Sequence, residues 1–167
     1  MTISIDRLRE LLDYDPDTGN FSWRVGRRGG SYAGHIAGAV NRDGYIEIRI
    51  DRRLYKAHRL AWFYVNKRWP IEHIDHVNGK TGDNRISNLR EATNAQNLQN
   101  RHGAQANSRS GLIGVTWHKQ NERWRAEIVV SGTKKHLGYF ETPEQAHAAY
   151  LKAKAELHPF QTIVEAA

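Results

Sequence analysis

The sequence predicts an α+β protein in two parts: a polar strand–loop–strand–helix unit behind a small scaffold, then a three-stranded antiparallel sheet packed on one helix. Three observations carry this. The stretch Ile71–Asn100 is crowded with His, Asp and Asn between two hydrophobically patterned regions. Three alternating segments, Ile113–His118, Arg123–Val130 and Lys134–Tyr139, precede a helix with one apolar stripe. Between these regions lies GAQANSRSG, Gly103–Gly111, small and polar as a linker is. The expected division is a first domain over 1–102, a linker over 103–111 and a second domain over 112–167.

The elements follow in order. Ile5, Leu8, Leu11 and Leu12 share a face and predict an amphipathic helix, which ends at the turn-rich string Tyr14–Asn20. Phe21, Trp23 and Val25 alternate as a strand does. Tyr45, Ile46, Ile48 and Ile50 predict another strand, with Asp51-Arg52 turning tightly into Leu54–Lys56. A helix is expected from about His58 to Asn66. Asp75-His76 closes a strand, a polar loop runs from Val77 to Ile86, and Ser87–Arg90 returns as a second strand. Thr93-Asn94-Ala95-Gln96 reads as a capping box, opening a helix on which Asn94, Asn97 and Arg101 share a face. In the second part, Ser131-Gly132 is the hairpin turn. Thr142-Pro143-Glu144-Gln145 supplies an N-cap, a first-turn Pro and a capping-box Gln. Ala146, Ala149, Tyr150, Ala153 and Leu157 then form the stripe. Val115, Trp117, Trp124, Ala126, Ile128 and Leu137 fall on one parity, and a sheet with that face on the helix leaves a polar, basic face outward.

Composition narrows the function. Of 167 residues, 25 are Lys or Arg and 18 Asp or Glu, for a net charge of +7. That balance favours a polyanionic partner. The absence of cysteine excludes disulfides, thiolate zinc sites and cysteine nucleophiles. No apolar run is long enough to span a bilayer, and the acidic start MTISIDRLRELLDYD is unlike a signal peptide. No membrane partner is expected, and the cytoplasm of a bacterial or phage-infected cell is the expected location. Residues 1–102 hold 17 basic against 12 acidic residues. From Arg109 to Lys135 there are six basic and two acidic, so the second part's charge is concentrated in its first half.

His, Asp and Asn in close order, bordered by Arg and Lys, are the residue types that hydrolyse phosphodiesters. Asp75-His76, Asn88 in NRISNLR and Asn97 in TNAQNLQN, with YDPDTGNFSW, DGY and AHRLAW upstream, resemble the HNH nucleases, whose active site is a ββα-metal unit. The resemblance spans most of 8–102 and is to the variant ending in Asn rather than His. It implies His76 as general base, because an imidazole with a reference pKa of ~6.5 accepts a proton at neutral pH. It implies Asn88 orienting that imidazole through a side-chain or backbone oxygen. It implies Asp75 and Asn97 as metal ligands. Their hard oxygens suit one Mg²⁺ or Mn²⁺ per site, stabilising the leaving 3′-oxygen and the pentavalent phosphate. Taken singly, each residue has an ordinary reading: exposed strand histidines, a turn aspartate, a solvated face of asparagines. His73 is the second-choice base, since it shares a strand face with Asp75 while His76 points oppositely. His58 is expected to be structural or to meet a phosphate.

Gly114-Val115 with Trp117, WRAEI, LGYF and TPEQAHAAY resemble the AP2 DNA-binding domain over 111–158. That fold, a three-stranded sheet on one helix, lays its exposed face in the DNA major groove. The implied positions are Thr116, His118, Arg125, Glu127, Val129, Lys134 and His136. Arg109, Arg123 and Lys135 would meet phosphates. Plant members carry Arg where this chain has Ile113, Thr116 and Val129, so their target does not carry over. The plain alternative is a basic solvated sheet face.

Together these imply a metal-dependent endonuclease of the homing type acting on double-stranded DNA, cutting with the first part and targeting with the second. One site per chain cuts one strand, so a monomer is expected and a dimer is needed only for concerted double-strand cutting. Two other readings stay open: a DNA-binding regulator with an inactive nuclease module, and a restriction or defence nuclease of the same chemistry.

Overall fold

The structure is a computed structural model that describes residues 3–26, 32–101, 103–105 and 107–160. The described residues form a mixed α/β arrangement of four α-helices and four small sheets. They fall into two compact units, Met1–Ala92 and Thr93–Ala167. The division lies ahead of the helix at residues 94–99, whereas the sequence expected it in 103–111. Residues 1–2, 27–31 and 102 of the expected first domain, 106 of the linker and 161–167 of the second domain lie outside the described residues.

In the first unit, Ser4 caps α1 (Ile5–Leu11) by accepting from the Arg7 amide, and Leu8 and Leu11 are buried. The chain then enters β1 (Leu12–Tyr14), which pairs antiparallel with β2 (Phe21–Trp23). The sequence reading made residues 14–20 a turn and extended the second strand to Val25; the strand stops at Trp23, and Val25 is exposed. A three-stranded sheet runs β3 (Ala39–Val40), β4 (Ile46–Ile50), β5 (Arg53–Lys56). Asp51 and Arg52 both have positive φ, as the tight primed hairpin turn requires. α2 (Ala57–Asn66) follows at once. Leu8, Leu12, Phe21, Ile48, Ile50 and Leu60 are fully buried at the centre of this unit, each contributing about 1.5–3 kcal/mol of apolar burial. The last pair is β6 (His73–His76) with β7 (Leu89–Ala92). The strand expected over Ser87–Arg90 does not form as such. Ile86–Asn88 form a 3₁₀ turn, and the strand begins only at Leu89, because Asn88 is drawn inward to bond the loop.

The second unit opens with α3 (Asn94–Gln99), capped by the predicted Thr93/Gln96 box. It ends before Arg101, so Arg101 does not extend the Asn94/Asn97 face. Its sheet has the order β10-β9-β8, with β8 (Val115–His118), β9 (Arg123–Val130) and β10 (Thr133–Phe140). Ser131 and Gly132 turn with positive φ. α4 (Pro143–Leu157) carries the predicted N-cap, Pro and capping Gln. Val115, Ala126, Ile128, Ala146, Tyr150 and Ala153 are buried between sheet and helix. β8 starts two residues later than expected because Gly114 has φ +76 and lies against the Tyr150 ring.

Candidate functional site

The β6–β7 hairpin and its long loop concentrate the polar residues of the first unit. The loop is internally bonded. Asn88 Oδ1 accepts from the Asn78 amide at 3.0 Å, and Asn88 Nδ2 donates to the Asp83 carbonyl at 2.8 Å. Asn78 Nδ2 donates to Asp83 at 2.7 Å, and Arg85 grips the same carboxylate with two nitrogens at 2.6 and 2.8 Å. That guanidinium holds the Asp83 carboxyl down to about 2. Asn88 is therefore a brace across the loop as well as a neighbour of the strand end, where its carbonyl accepts from Val77 at 2.9 Å.

His76 sits at the end of β6, buried, with Nε2 3.2 Å from Asn84 Oδ1. Burial pushes its imidazole below the ordinary value, while the Asn84 contact and nearby Asp75 oppose that shift. Two rings flank it. His58, from the first turn of α2, stands edge-on at 5.1 Å, and Tyr45 is tilted at 6.0 Å; those two are 5.3 Å apart. His58 is also buried, and desolvation first, then the charges of His76, Arg59 and Lys56, take it down to about 3. It is a structural member of this ring cluster.

Sequence reasoning passed over Asn84. The Tyr14 hydroxyl donates to its carbonyl at 2.7 Å. Gly19, at φ +75, lies so close that a Cβ would collide with the Asn84–Arg85 backbone. The Tyr14–Asn20 turn thus holds the residue that meets His76. The only available signal was the turn itself, with Gly19 where a left-handed residue is required.

Asp75 is buried and faces β7, where the register sets it opposite Arg90. Arg90 Nε and a terminal nitrogen both reach Asp75 Oδ2 at 2.9 Å. His73, at the start of β6, is exposed. Asn97 is half-buried on α3, in the second unit, while Asp75, His76 and Asn88 belong to the first. No cluster of three or more His, Cys, Asp or Glu able to hold a metal occurs among the described residues. The expected donor set is different in kind: one carboxylate and one amide oxygen. It fits a hard ion that keeps most of its water, as Mg²⁺ and Mn²⁺ do.

In the second unit, Thr116, Arg123, Val129, Lys134 and His136 are exposed on the sheet face away from α4, with His118, Arg125 and Glu127 half-buried among them. Arg125 pairs with Glu127 at 2.9 Å, and Arg123 with Glu141 at 2.9 Å. Lys135 pairs in register with Ile128, which is buried toward the helix, so it lies on the other face from Lys134. The register slips between His136 and Gly138. This bulge turns Tyr139 onto the exposed face, opposite Arg125, with its ring 5.1 Å from His118 and 4.7 Å from His136. A strict alternation of parity could not have found Tyr139. Arg109 stacks its guanidinium over Trp117 at 5.5 Å. A groove of about 570 Å³ beside this face is lined by Arg101, Arg109, Lys119 and Lys134, with Glu127 as its acid.

Residues 55–99 match the HNH endonuclease family. Over 111 residues the chain is 30% identical to "Protein 3.8" of Escherichia phage T7, a match covering 64% of this chain and 90% of that one. No solved structure matches the chain. No helix among the described residues is long and apolar enough to cross a membrane.

Proposed function

Because this chain belongs to the HNH endonuclease family, we propose that it is a metal-dependent, homing-type DNA endonuclease whose second unit selects the site. The observation that carries this reading is the buried His76 imidazole, set against Asn84 and adjacent in sequence to Asp75 within the family segment. His76 takes the proton of the attacking water. Desolvation favours its neutral form at neutral pH, and neutral imidazole is the form a base needs. Asn84 holds the ring, and Asn88 braces the loop that carries Asn84. Asp75 and Asn97 would hold one Mg²⁺ or Mn²⁺, and the ion would supply charge stabilisation for the phosphate and the leaving oxygen.

The second unit reads double-stranded DNA with its exposed sheet face in the AP2 manner. Thr116, His118, Arg125, Glu127, Val129, Lys134, His136 and Tyr139 meet base edges, while Arg109 and Arg123 meet phosphates; Lys135, on the opposite sheet face, drops out of the expected phosphate set. The protein works as a monomer in the cytoplasm of a bacterial or phage-infected cell.

The test is cleavage of supercoiled plasmid carrying a candidate target in Mg²⁺ or Mn²⁺, with EDTA, His76→Ala and His73→Ala alongside. Metal-dependent nicking or linearisation lost with EDTA and with His76→Ala, but kept by His73→Ala, is the expected result. Loss with His73→Ala alone moves the base to His73. Tight, salt-sensitive binding of a known target without cleavage in either metal identifies a regulator instead.

A further inference from the structure

We infer that Arg90 gates the ion site: its guanidinium holds the Asp75 carboxylate in the free protein and passes to a backbone phosphate when DNA arrives. The inference rests on the reading of Asp75 as a metal ligand. The β6–β7 register places the two residues directly opposite each other, and two guanidinium nitrogens reach one carboxylate oxygen at 2.9 Å.

A cation so close to the ligand opposes a second, divalent cation at the same carboxylate. The guanidinium fork fits a phosphate as well as it fits a carboxylate, so it has an alternative partner of the same charge. The substrate brings that partner. The exchange balances: an Asp–Arg pair and a hydrated ion–phosphate pair become an Arg–phosphate pair and an Asp–ion pair. Access is also graded. The Arg90 side chain is 27% exposed and Asp75 only 6%, so the arginine is the member open to solvent. Two other arginines of this unit are engaged with other carboxylates, Arg85 with Asp83 and Arg68 with Glu91. Arg90 is the one whose carboxylate partner is the proposed metal ligand. Metal loading then follows DNA binding, and the free protein carries a site that is weak for the ion.

The experiment is calorimetric titration of Mn²⁺ alone into the full chain without DNA. Arg90→Gln should bind Mn²⁺ about tenfold more tightly than wild type, the scale of removing one nearby unit charge. Arg90→Lys, which keeps the charge but loses the fork, should tighten binding by a smaller factor, and it serves if Arg90→Gln does not fold. Unchanged or weaker Mn²⁺ binding in the variants overturns the gate. Asp75→Asn separates the two levels. If it abolishes Mn²⁺ binding while Arg90→Gln leaves the affinity unchanged, the ligand stands and the gate falls. If it leaves Mn²⁺ binding intact, Asp75 is not the ligand and both readings fall. A second arm measures duplex binding in Mn²⁺ with His76→Ala as the background, where the ion is present and cutting is blocked. Arg90→Gln should lower the salt dependence by about one phosphate contact, and an unchanged slope overturns the transfer to DNA.

Discussion

Asn84 Oδ1 lies 3.2 Å from His76 Nε2, and Asn84 is itself held by Tyr14, 70 residues earlier, whose hydroxyl donates to the Asn84 carbonyl at 2.7 Å. The residue facing the proposed base is thus positioned by the N-terminal hairpin. The first β-hairpin is a support for the site as well as a part of the core.

Asn84→Ala should lower the cleavage rate about 10- to 100-fold with little change in KM, the scale expected when a catalytic group loses its orientation. It should cost about 1–3 kcal/mol of stability, because the buried imidazole nitrogen loses its partner. Single-turnover cleavage and denaturant unfolding check the two halves. An unchanged rate would remove Asn84 from the machinery.

His58 makes stability depend on acid. Its folded value is depressed to about 3, by burial and by the charges of His76, Arg59 and Lys56, while the unfolded imidazole has a reference pKa of ~6.5. The unfolded chain therefore binds the proton more readily. Stability from this group is complete above about 6.5 and falls as pH drops toward 3, by at most about 1.4 kcal/mol per pH unit. His58→Phe keeps a ring against Tyr45 and His76 but removes the titration. Urea melts from pH 7 to 4 should show a flatter decline for the variant, with the remainder coming from His76, whose shift has the same sign, and near pH 4 from the depressed carboxyls of Asp83, Glu47 and Glu91. Parallel declines for both proteins would contradict this account.

Tyr139 sits on the exposed sheet face between two histidines. Tyr139→Ala should weaken binding to a duplex selected by the protein from a random pool by about tenfold, the scale of one good base contact, and leave the salt slope unchanged. Arg123→Ala, at a proposed phosphate contact, should instead lower the slope. Fluorescence anisotropy at several salt concentrations distinguishes them, and an affinity unchanged by Tyr139→Ala would place Tyr139 off the interface.

Gly114→Ala should destabilise the second unit by about 2–4 kcal/mol, since a methyl at φ +76 would be driven into the Tyr150 ring. Thermal unfolding followed by tryptophan fluorescence reads this, because Trp117 and Trp124 both lie in that unit. A melting temperature equal to wild type would mean that the ring moves aside freely.

Much was legible because it is local. The two capping boxes, the Asp51-Arg52 and Ser131-Gly132 turns, the helix of AHRLAW and the strand ending in Asp75-His76 all depend on residues within a few positions of one another. The apolar parity of the second sheet was legible for the same reason, up to the bulge. What failed was also local in form but decided elsewhere. Residues 86–88 wind into a 3₁₀ turn because Asn88 bonds a loop whose course the strand pattern does not encode.

By itself the sequence determined the identity and order of the chemical groups, and the faces of strands and helices on which they fall, since backbone geometry repeats with periods of 2 and 3.6. Only the tertiary structure decided which asparagine meets His76, that Arg90 lies on Asp75, that the bulge turns Tyr139 outward, and that α3 groups with the second unit. Lys154 of α4 donates to the Arg101 carbonyl just beyond α3 at 2.7 Å, a contact across 53 residues. Such partners are chosen by burial and hydrogen-bond satisfaction over the whole unit, and the same residue types elsewhere in the chain would have looked identical on the page.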